Sequence, residues 1–137
     1  IGTFPTIRAL ATLAHDCRRP EMFRPELVDA LRSVQRGDLS ADGMRGAWAG
    51  ELGQTQFMPS SYIKFAVDFD GDGRRDLLHS AADVLASTAN YLAGYGWARG
   101  KPWDPGSANF AVIRAWNKSE VYARTIASFA DQLDRAP

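Results

Sequence analysis

Cysteine is all but missing from these 137 residues: Cys17 stands alone. A single thiol makes no internal disulfide, and without a C-x-x-C companion it offers neither a zinc corner nor a redox pair. The expectation is a small buried or half-buried side chain. Net charge is missing too, since 16 Lys and Arg balance 16 Asp and Glu. That balance excludes the electrostatic footprint of a nucleic-acid binder or of a protein drawn to an anionic membrane surface. No apolar run approaches the ~20 residues of a spanning helix. Repeats and low-complexity tracts are lacking. The chain opens on Ile1 with neither a methionine nor a basic-then-apolar leader, which reads as a processed or trimmed piece. A chain of this length buries roughly two thirds of its unfolded surface unaided, so one domain over residues 1–137 is expected.

What is present is mostly helical spacing. Ile7, Leu10 and Leu13/Ala14 recur at three to four residues, with Pro5 where a first turn tolerates it. Phe23, Leu27, Val28, Leu31 and Val34 form a second stripe that stops near Arg36-Gly37-Asp38. Pro59-Ser60-Ser61 reads as a helix start. A further helix is predicted over residues 80–95, with Val84, Leu85, Thr88, Tyr91, Leu92 and Tyr95 on one face and Gly94 and Gly96 as stop signals. In N-K-S-E, Asn117 and Glu120 read as an N-cap and its reciprocal partner, ahead of Tyr122, Ile126, Phe129 and Leu133 on one face. Residues 38–59 and 97–108 are rich in Gly and Pro and read as irregular.

Residues 68–76, D-F-D-G-D-G-R-R-D, carry four carboxylates. A twelve-residue calcium loop wants oxygen at its first, third and fifth places, glycine at the sixth, a backbone carbonyl at the seventh and a bidentate carboxylate at the twelfth. Asp68, Asp70, Asp72, Gly73 and the Arg74 carbonyl meet all but the last. The twelfth residue is His79, a poor ligand for a hard cation, and the next carboxylate able to close the loop is Asp83. Asp76, at the ninth place, can bind directly or through water. The alternative is a solvated acidic turn softened by Arg74 and Arg75. Calcium sensors present paired hands and a Met-rich groove, whereas this chain has one loop and three methionines. The expectation is a structural clamp.

Just upstream, residues 45–62 read R-G-A-W-A-G-E-L-G-Q-T-Q-F-M-P-S-S-Y. Clustered glycines before alternating Gln54 and Gln56 describe a loop that brings backbone and amide groups close to a ligand. Amides beside aromatics suit a sugar, whose ring has hydroxyls to read and an apolar face to cover. Most of Trp48, Trp97, Trp103 and Trp116 are expected in the core.

The run G-A-W-A-G-E-L-G-Q-T-Q-F-M-P-S-S-Y, followed by A-V-D-F-D-G-D-G-R-R-D-L and L-A-S-T-A-N-Y-L-A-G-Y-G-W, resembles the membrane-bound lytic murein transglycosylase B family, which cleaves peptidoglycan. R-A-L-A-T-L-A-H-D-C-R-R-P-E-M-F and N-F-A-V-I-R-A-W-N-K-S-E-V-Y-A extend the likeness over nearly the whole chain. The resemblance implies a mainly α, lysozyme-like catalytic domain, lacking its N-terminal part, with an EF-hand-like calcium loop. It also implies calcium as a structural ion, no organic cofactor, and peptidoglycan glycan strands as the partner. A periplasmic or outer-membrane-associated location follows, with membrane association through a missing N-terminal segment.

In this family the β-1,4 bond between N-acetylmuramic acid and N-acetylglucosamine breaks without water, as the muramyl 6-hydroxyl attacks its own anomeric carbon to give a 1,6-anhydro product. One carboxylic acid serves first as acid and then as base, and it needs an apolar seat to raise its pKa. By alignment that glutamate falls ahead of Ile1, so no catalytic residue is assigned within the chain. Glu51 occupies a place often filled by a small apolar residue and is not taken as the acid. Glu21, Glu26 and Glu120 read as helix-start acids.

The resemblance implies that Gln56 contacts the sugar near the scissile bond; the plain alternative is an amide tying the loop to itself. Tyr91, Trp116, Asn117 and Tyr122 match cleft positions, although Tyr91 also lies on an apolar stripe. Arg18 and Arg19 match an arginine pair able to fork onto stem-peptide carboxylates. The implied metal ligands are Asp68, Asp70, Asp72, Arg74 and Asp83. Ala47 stands where relatives carry serine, and the link from Trp97 to Asn109 is short for the family. Two functions stay open: the larger part of a lytic transglycosylase, or a calcium-stabilised module that holds glycan or serves structurally without cleaving.

Overall fold

In the computed structural model, residues 2–16 and 18–135 are described; the expectation for Cys17 lies outside them. The elements are β1 (Phe4–Pro5), α1 (Thr6–His15), α2 (Pro20–Gln35), β2 (Arg45–Gly46), α3 (Pro59–Phe65), α4 (Ala81–Gly94), α5 (Ala108–Trp116) and α6 (Glu120–Asp134). The chain is therefore mainly helical, with β1 and β2 forming a short antiparallel pair. Among the described residues no helix is long and apolar enough to cross a membrane. Contacts divide the chain into residues 1–90 and 91–137, a boundary that falls within α4.

In the first unit α2 packs against α1 and α3. Leu10, Met44, Leu52, Tyr62 and Leu77 are buried almost completely and form the centre of its core. The predicted stripe of α2 is corrected. Phe23, Ala30 and Ser33 are its buried residues, while Val28 and Leu31 are 45% and 49% exposed. Small side chains let helices approach closely, and that outweighs the pull of the larger residues toward the interior. The Glu26 expectation changes as well. From the middle of α2 its carboxylate accepts the Ser60 N–H at 2.8 Å and the Ser60 hydroxyl at 2.7 Å, capping α3, whose own N-cap residue Met58 supplies no side-chain bond.

The second unit is built on Phe110, Ile113, Ala123 and Ala127, with Trp97 and Trp103 packed on them. Helix α5 has no counterpart among the predicted elements. Its nine residues are too short and too evenly apolar for periodicity to distinguish, but Ser107 caps it by accepting the Phe110 N–H. Helix α6 begins later than predicted: Ser119 is its N-cap, accepting the Tyr122 N–H. Asn117 instead ends α5 and accepts the Ser119 N–H at 2.9 Å. Glu120 turns to Arg114 and Arg124 rather than closing a capping box. The α6 face is also reversed, with Ala123 and Ala127 buried and Phe129 and Leu133 exposed.

Candidate functional site

The glutamine loop is a four-residue turn closed by Leu52 and Phe57. Each of these donates its N–H to the other's carbonyl, at 2.8 and 2.9 Å. Two glycines, one in the turn and one in β2 beside it, are required by crowding. A Cβ on Gly46 would lie 1.6 Å from the Glu51 carbonyl oxygen, and Gly53, at φ +77°, would bring one to 2.7 Å from the Leu77 oxygen. Gln56 is the one non-glycine residue at positive φ, +55°, among the described residues. Holding an ordinary side chain in the left-handed region costs about 1 kcal/mol, and the Leu52–Phe57 closure imposes it.

The two glutamines divide the work. Gln54 is anchored by its backbone N–H on the Leu77 oxygen at 2.9 Å and by its Nε2 on the Leu78 oxygen at 3.0 Å. Gln56 is exposed and its side chain makes no hydrogen bond among the described residues. The amide that ties the loop is therefore Gln54.

Gln54 ties the loop to the exit of the acidic loop. There Asp68 accepts the Gly71 and Gly73 N–H groups at 2.7 and 2.8 Å. Asp72 accepts the Arg74 N–H at 2.8 Å, and Asp70 accepts the Ser80 hydroxyl at 2.7 Å. Asp83 is fully buried, and its two oxygens accept the Phe69 and Asp76 N–H groups, both at 2.8 Å. Carboxylate oxygens of Asp68, Asp70 and Asp83 lie within 4.8 Å of one another. Asp72 is not in that group. This is a hard, oxygen-only donor set that fits a divalent cation of the calcium type. His79 turns away from it, with Nδ1 3.1 Å from Asp76. Burial pushes the Asp76 carboxyl up, but the N–H groups of His79 and Leu78 and the His79 ring outweigh this and hold it below the usual carboxylate range.

Beside this loop Arg75 pairs with Asp38, and the Tyr62 hydroxyl donates to the Arg75 carbonyl at 2.8 Å. Burial, followed by the Asp38 carboxylate, pushes the Tyr62 phenol well above its usual range.

A family model described as the transglycosylase SLT domain matches residues 1–108. The chain belongs to this family. It is 40% identical over 101 residues to the membrane-bound lytic murein transglycosylase B of Escherichia coli, covering 73% of this chain and 28% of that protein. Among solved structures of lytic transglycosylases, SltB3 of Pseudomonas aeruginosa in complex with NAG-anhNAM-pentapeptide has a TM-score of 0.90 at 33% identity, covering 98% of this chain and 52% of that one. Slt35 of E. coli in complex with calcium has a TM-score of 0.78 at 27% identity, over 93% of this chain and 59% of that one. The chain thus spans about half of SltB3 and about a quarter of the E. coli B enzyme.

Within this SLT-family chain the expected site residues fall in both units. In the first, Arg18 and Arg19 line a cavity of about 400 Å³ with Leu13, Phe23 and Trp48. In the second, Tyr91 stacks on Tyr95 with ring centroids 4.5 Å apart and meets the edge of Trp116 at 4.7 Å. Burial, and then Tyr95, push the Tyr91 phenol up. Tyr122 is 38% exposed on the outer face of α6. Asn109, buried in α5, accepts the Ala98 N–H and donates to the Ala98 and Lys101 carbonyls, which pins the short link after Trp97. The sequence signal for Asn109 was only a polar residue inside an apolar run. Glu51 is half-buried, and its Oε2 is enclosed without a hydrogen-bond partner among the described residues.

Proposed function

We propose that this chain is the larger, glycan-holding part of a lysozyme-like lytic transglycosylase catalytic domain acting on the MurNAc-β-1,4-GlcNAc bond of peptidoglycan. Its parent protein is an enzyme of the bacterial cell wall, periplasmic or associated with the outer membrane. The observation that carries the reading is Gln56: an exposed side-chain amide on a residue at positive φ, with no side-chain hydrogen-bond partner among the described residues, in a chain of the SLT family. Its carbonyl and NH₂ suit the hydroxyl and acetamido groups of an aminosugar. Tyr91, Trp116, Asn117 and Tyr122 supply further sugar contacts from the second unit. Arg18 and Arg19 fork onto stem-peptide carboxylates; the relative SltB3 was solved with such a pentapeptide ligand.

Calcium is held by Asp68, Asp70 and Asp83, with Asp72 and the Arg74 carbonyl completing the ligand set, and it acts as a staple. The calcium complex of the relative Slt35 supports this. The ion supplies rigidity to the segment that carries Leu78, and so to the Gln54 anchor.

The acid that protonates the leaving oxygen and then takes the 6-hydroxyl proton belongs to a glutamate ahead of Ile1. Muropeptide chromatography of purified sacculi tests this. The 137-residue chain should pellet with sacculi and release no 1,6-anhydro products. A longer gene product bearing a glutamate in an E-x-x-x-G setting should release them and lose activity on Glu→Gln. Products from the short chain that vanish in Glu51→Gln would instead assign the acid to Glu51, whose enclosed, unpartnered oxygen is the one feature that favours it. Failure of the short chain to bind sacculi would overturn the glycan reading.

A further inference from the structure

Two enclosed side-chain polar atoms lack a hydrogen-bond partner among the described residues, Thr6 Oγ1 and Glu51 Oε2. Both adjoin the β1–β2 pair of the first unit: Thr6 follows Pro5 of β1 directly, and the Glu51 backbone lies against Gly46 of β2. A Cβ on Gly2 would stand 2.0 Å from the Gly46 carbonyl oxygen and 2.7 Å from the Ala47 nitrogen. The Ala47 N–H in turn donates to the Glu51 carbonyl at 2.9 Å. The backbone at Gly2, at Gly46–Ala47 and at Glu51 is therefore stacked in that order. Glu51 leads directly into Leu52, which closes the turn that carries Gln56.

An enclosed carboxylate oxygen without a donor is costly, and a folded protein keeps one where a further group supplies the bond or where chemistry uses it. The charged side chains of the surrounding elements do not satisfy it. Arg45 of β2 donates to the Thr3 carbonyl at 3.4 Å. Arg8 and His15 stand on α1, which Gly50 meets at Leu10. Gly53 packs on Leu77, and beyond it Asp76 pairs with His79. Among the described residues none of these cations forms an ion pair with Glu51. The glutamic acid proposed above to lie ahead of Ile1 is a donor of the right kind. Its segment leads to Gly2, and its task lies at a bond held by Gln56. Glu51 stands between those two points.

We propose that Glu51 is a positioning residue whose Oε2 accepts the O–H of that glutamic acid and holds it protonated until substrate binds, an inference that rests on the assignment of the acid made above. When substrate enters, the acid's O–H turns to the leaving oxygen and protonates it as the glycosidic bond breaks. The carboxylate left behind takes the 6-hydroxyl proton as that oxygen bonds to the anomeric carbon, which restores the acid. Glu51 neither gains nor loses a proton in the cycle. Its charge acts on its neighbour: a like charge close by disfavours ionisation of the second carboxyl. The acid therefore keeps its proton to higher pH, and its carboxylate is the stronger base for the second step.

The test uses a longer gene product that carries the E-x-x-x-G glutamate and releases 1,6-anhydro muropeptides. In Glu51→Gln the alkaline limb of its kcat/KM profile should fall by about one pH unit or more, and above that limb kcat should drop roughly tenfold with little change in KM. Glu51→Asp, which keeps the charge, should move the limb less. Carbon-13 titration of the carboxyls in the unmutated protein is a second readout that needs no variant: the acid should titrate at least about one unit above the ordinary ~4.3 of glutamate. A limb unmoved in a Glu51→Gln protein with an unchanged melting curve, or an acid titrating at the ordinary value, would overturn the proposal and leave the assignment of the acid in place. Loss of activity at every pH in Glu51→Gln would overturn it as well, since that is the mark of the acid itself. Full activity after Glu→Gln in the E-x-x-x-G segment would sink both.

Discussion

The side-chain amide of Gln54 donates to the carbonyl of Leu78 at 3.0 Å, joining the glutamine loop to the far end of the acidic loop. That bond separates the roles of two glutamines only two residues apart. Gln54→Ala should destabilise the chain by about 1 kcal/mol, the usual net value of one such bond, read as a lower urea midpoint. Gln56→Ala should shift stability by less than ~0.5 kcal/mol, as expected at an exposed position, yet weaken binding to sacculi severalfold. A large stability loss in Gln56→Ala with binding intact would reverse the assignment.

Asp83 is the stronger structural determinant. It satisfies the N–H groups of Phe69 and Asp76 from a fully buried position, and removing it strands both donors. Asp83→Ala should cost about 3 kcal/mol or more, against ~0.5 kcal/mol for a neutral substitution at exposed Asp42. Equal melting temperatures for the two variants would refute the argument.

Calcium should raise the melting temperature of the unmutated chain, and a chelator should reverse the rise. At a hundred times the dissociation constant the gain is about 2.7 kcal/mol. Asp68→Ala and Asp72→Ala should abolish it. No shift at millimolar calcium would leave the segment as an acidic turn.

Asp76 sets a pH dependence. Its folded carboxyl titrates below its unfolded value, so its stabilising contribution is complete above the unfolded pKa of about 3.9 and is lost as the pH falls through the folded value. The side chain is half-buried, but its ring partner His79 is exposed, and solvent screening keeps the effect modest. Asp76→Asn should lower the urea midpoint at pH 7 more than at pH 3. Equal losses at the two pH values would show that the carboxylate's charge is not what matters.

The cap of α6 can be assigned by substitution. Ser119→Ala should cost about 1 kcal/mol, typical of a lost N-cap. If Ser119→Ala proves neutral and Asn117→Ala carries the loss, the cap reverts to the position first read from N-K-S-E.

The positions of α1, α2, α4 and α6 were legible in apolar spacing and in their Pro, Gly and Ser punctuation. Their buried faces were less so. Spacing ranks Val28 and Leu31 above Ala30 and Ser33, whereas the helices approach closely enough that the small residues lie inside. In α4, Leu85 was read as core but is 70% exposed, while Ser87 is buried and bonds the Val67 N–H at 3.0 Å. Helix α5 went unread because nine residues give periodicity too little length.

The same division runs through the candidate site. By itself the sequence determined which residue types are available: alternating aspartates and glycines for a hard cation, glutamines in a glycine-rich loop, arginines after α1, and motifs specific enough to point to the family. Those follow from chemistry and local backbone preference, which act over a few residues. Which of two glutamines is anchored, which carboxylates converge, and that Trp48 lines a cavity with Arg18 and Arg19 were decided by the tertiary structure alone. Each depends on contacts between segments tens of residues apart, as between Gln54 and Leu78, where close packing rather than sequence neighbourhood decides which partner each polar atom meets.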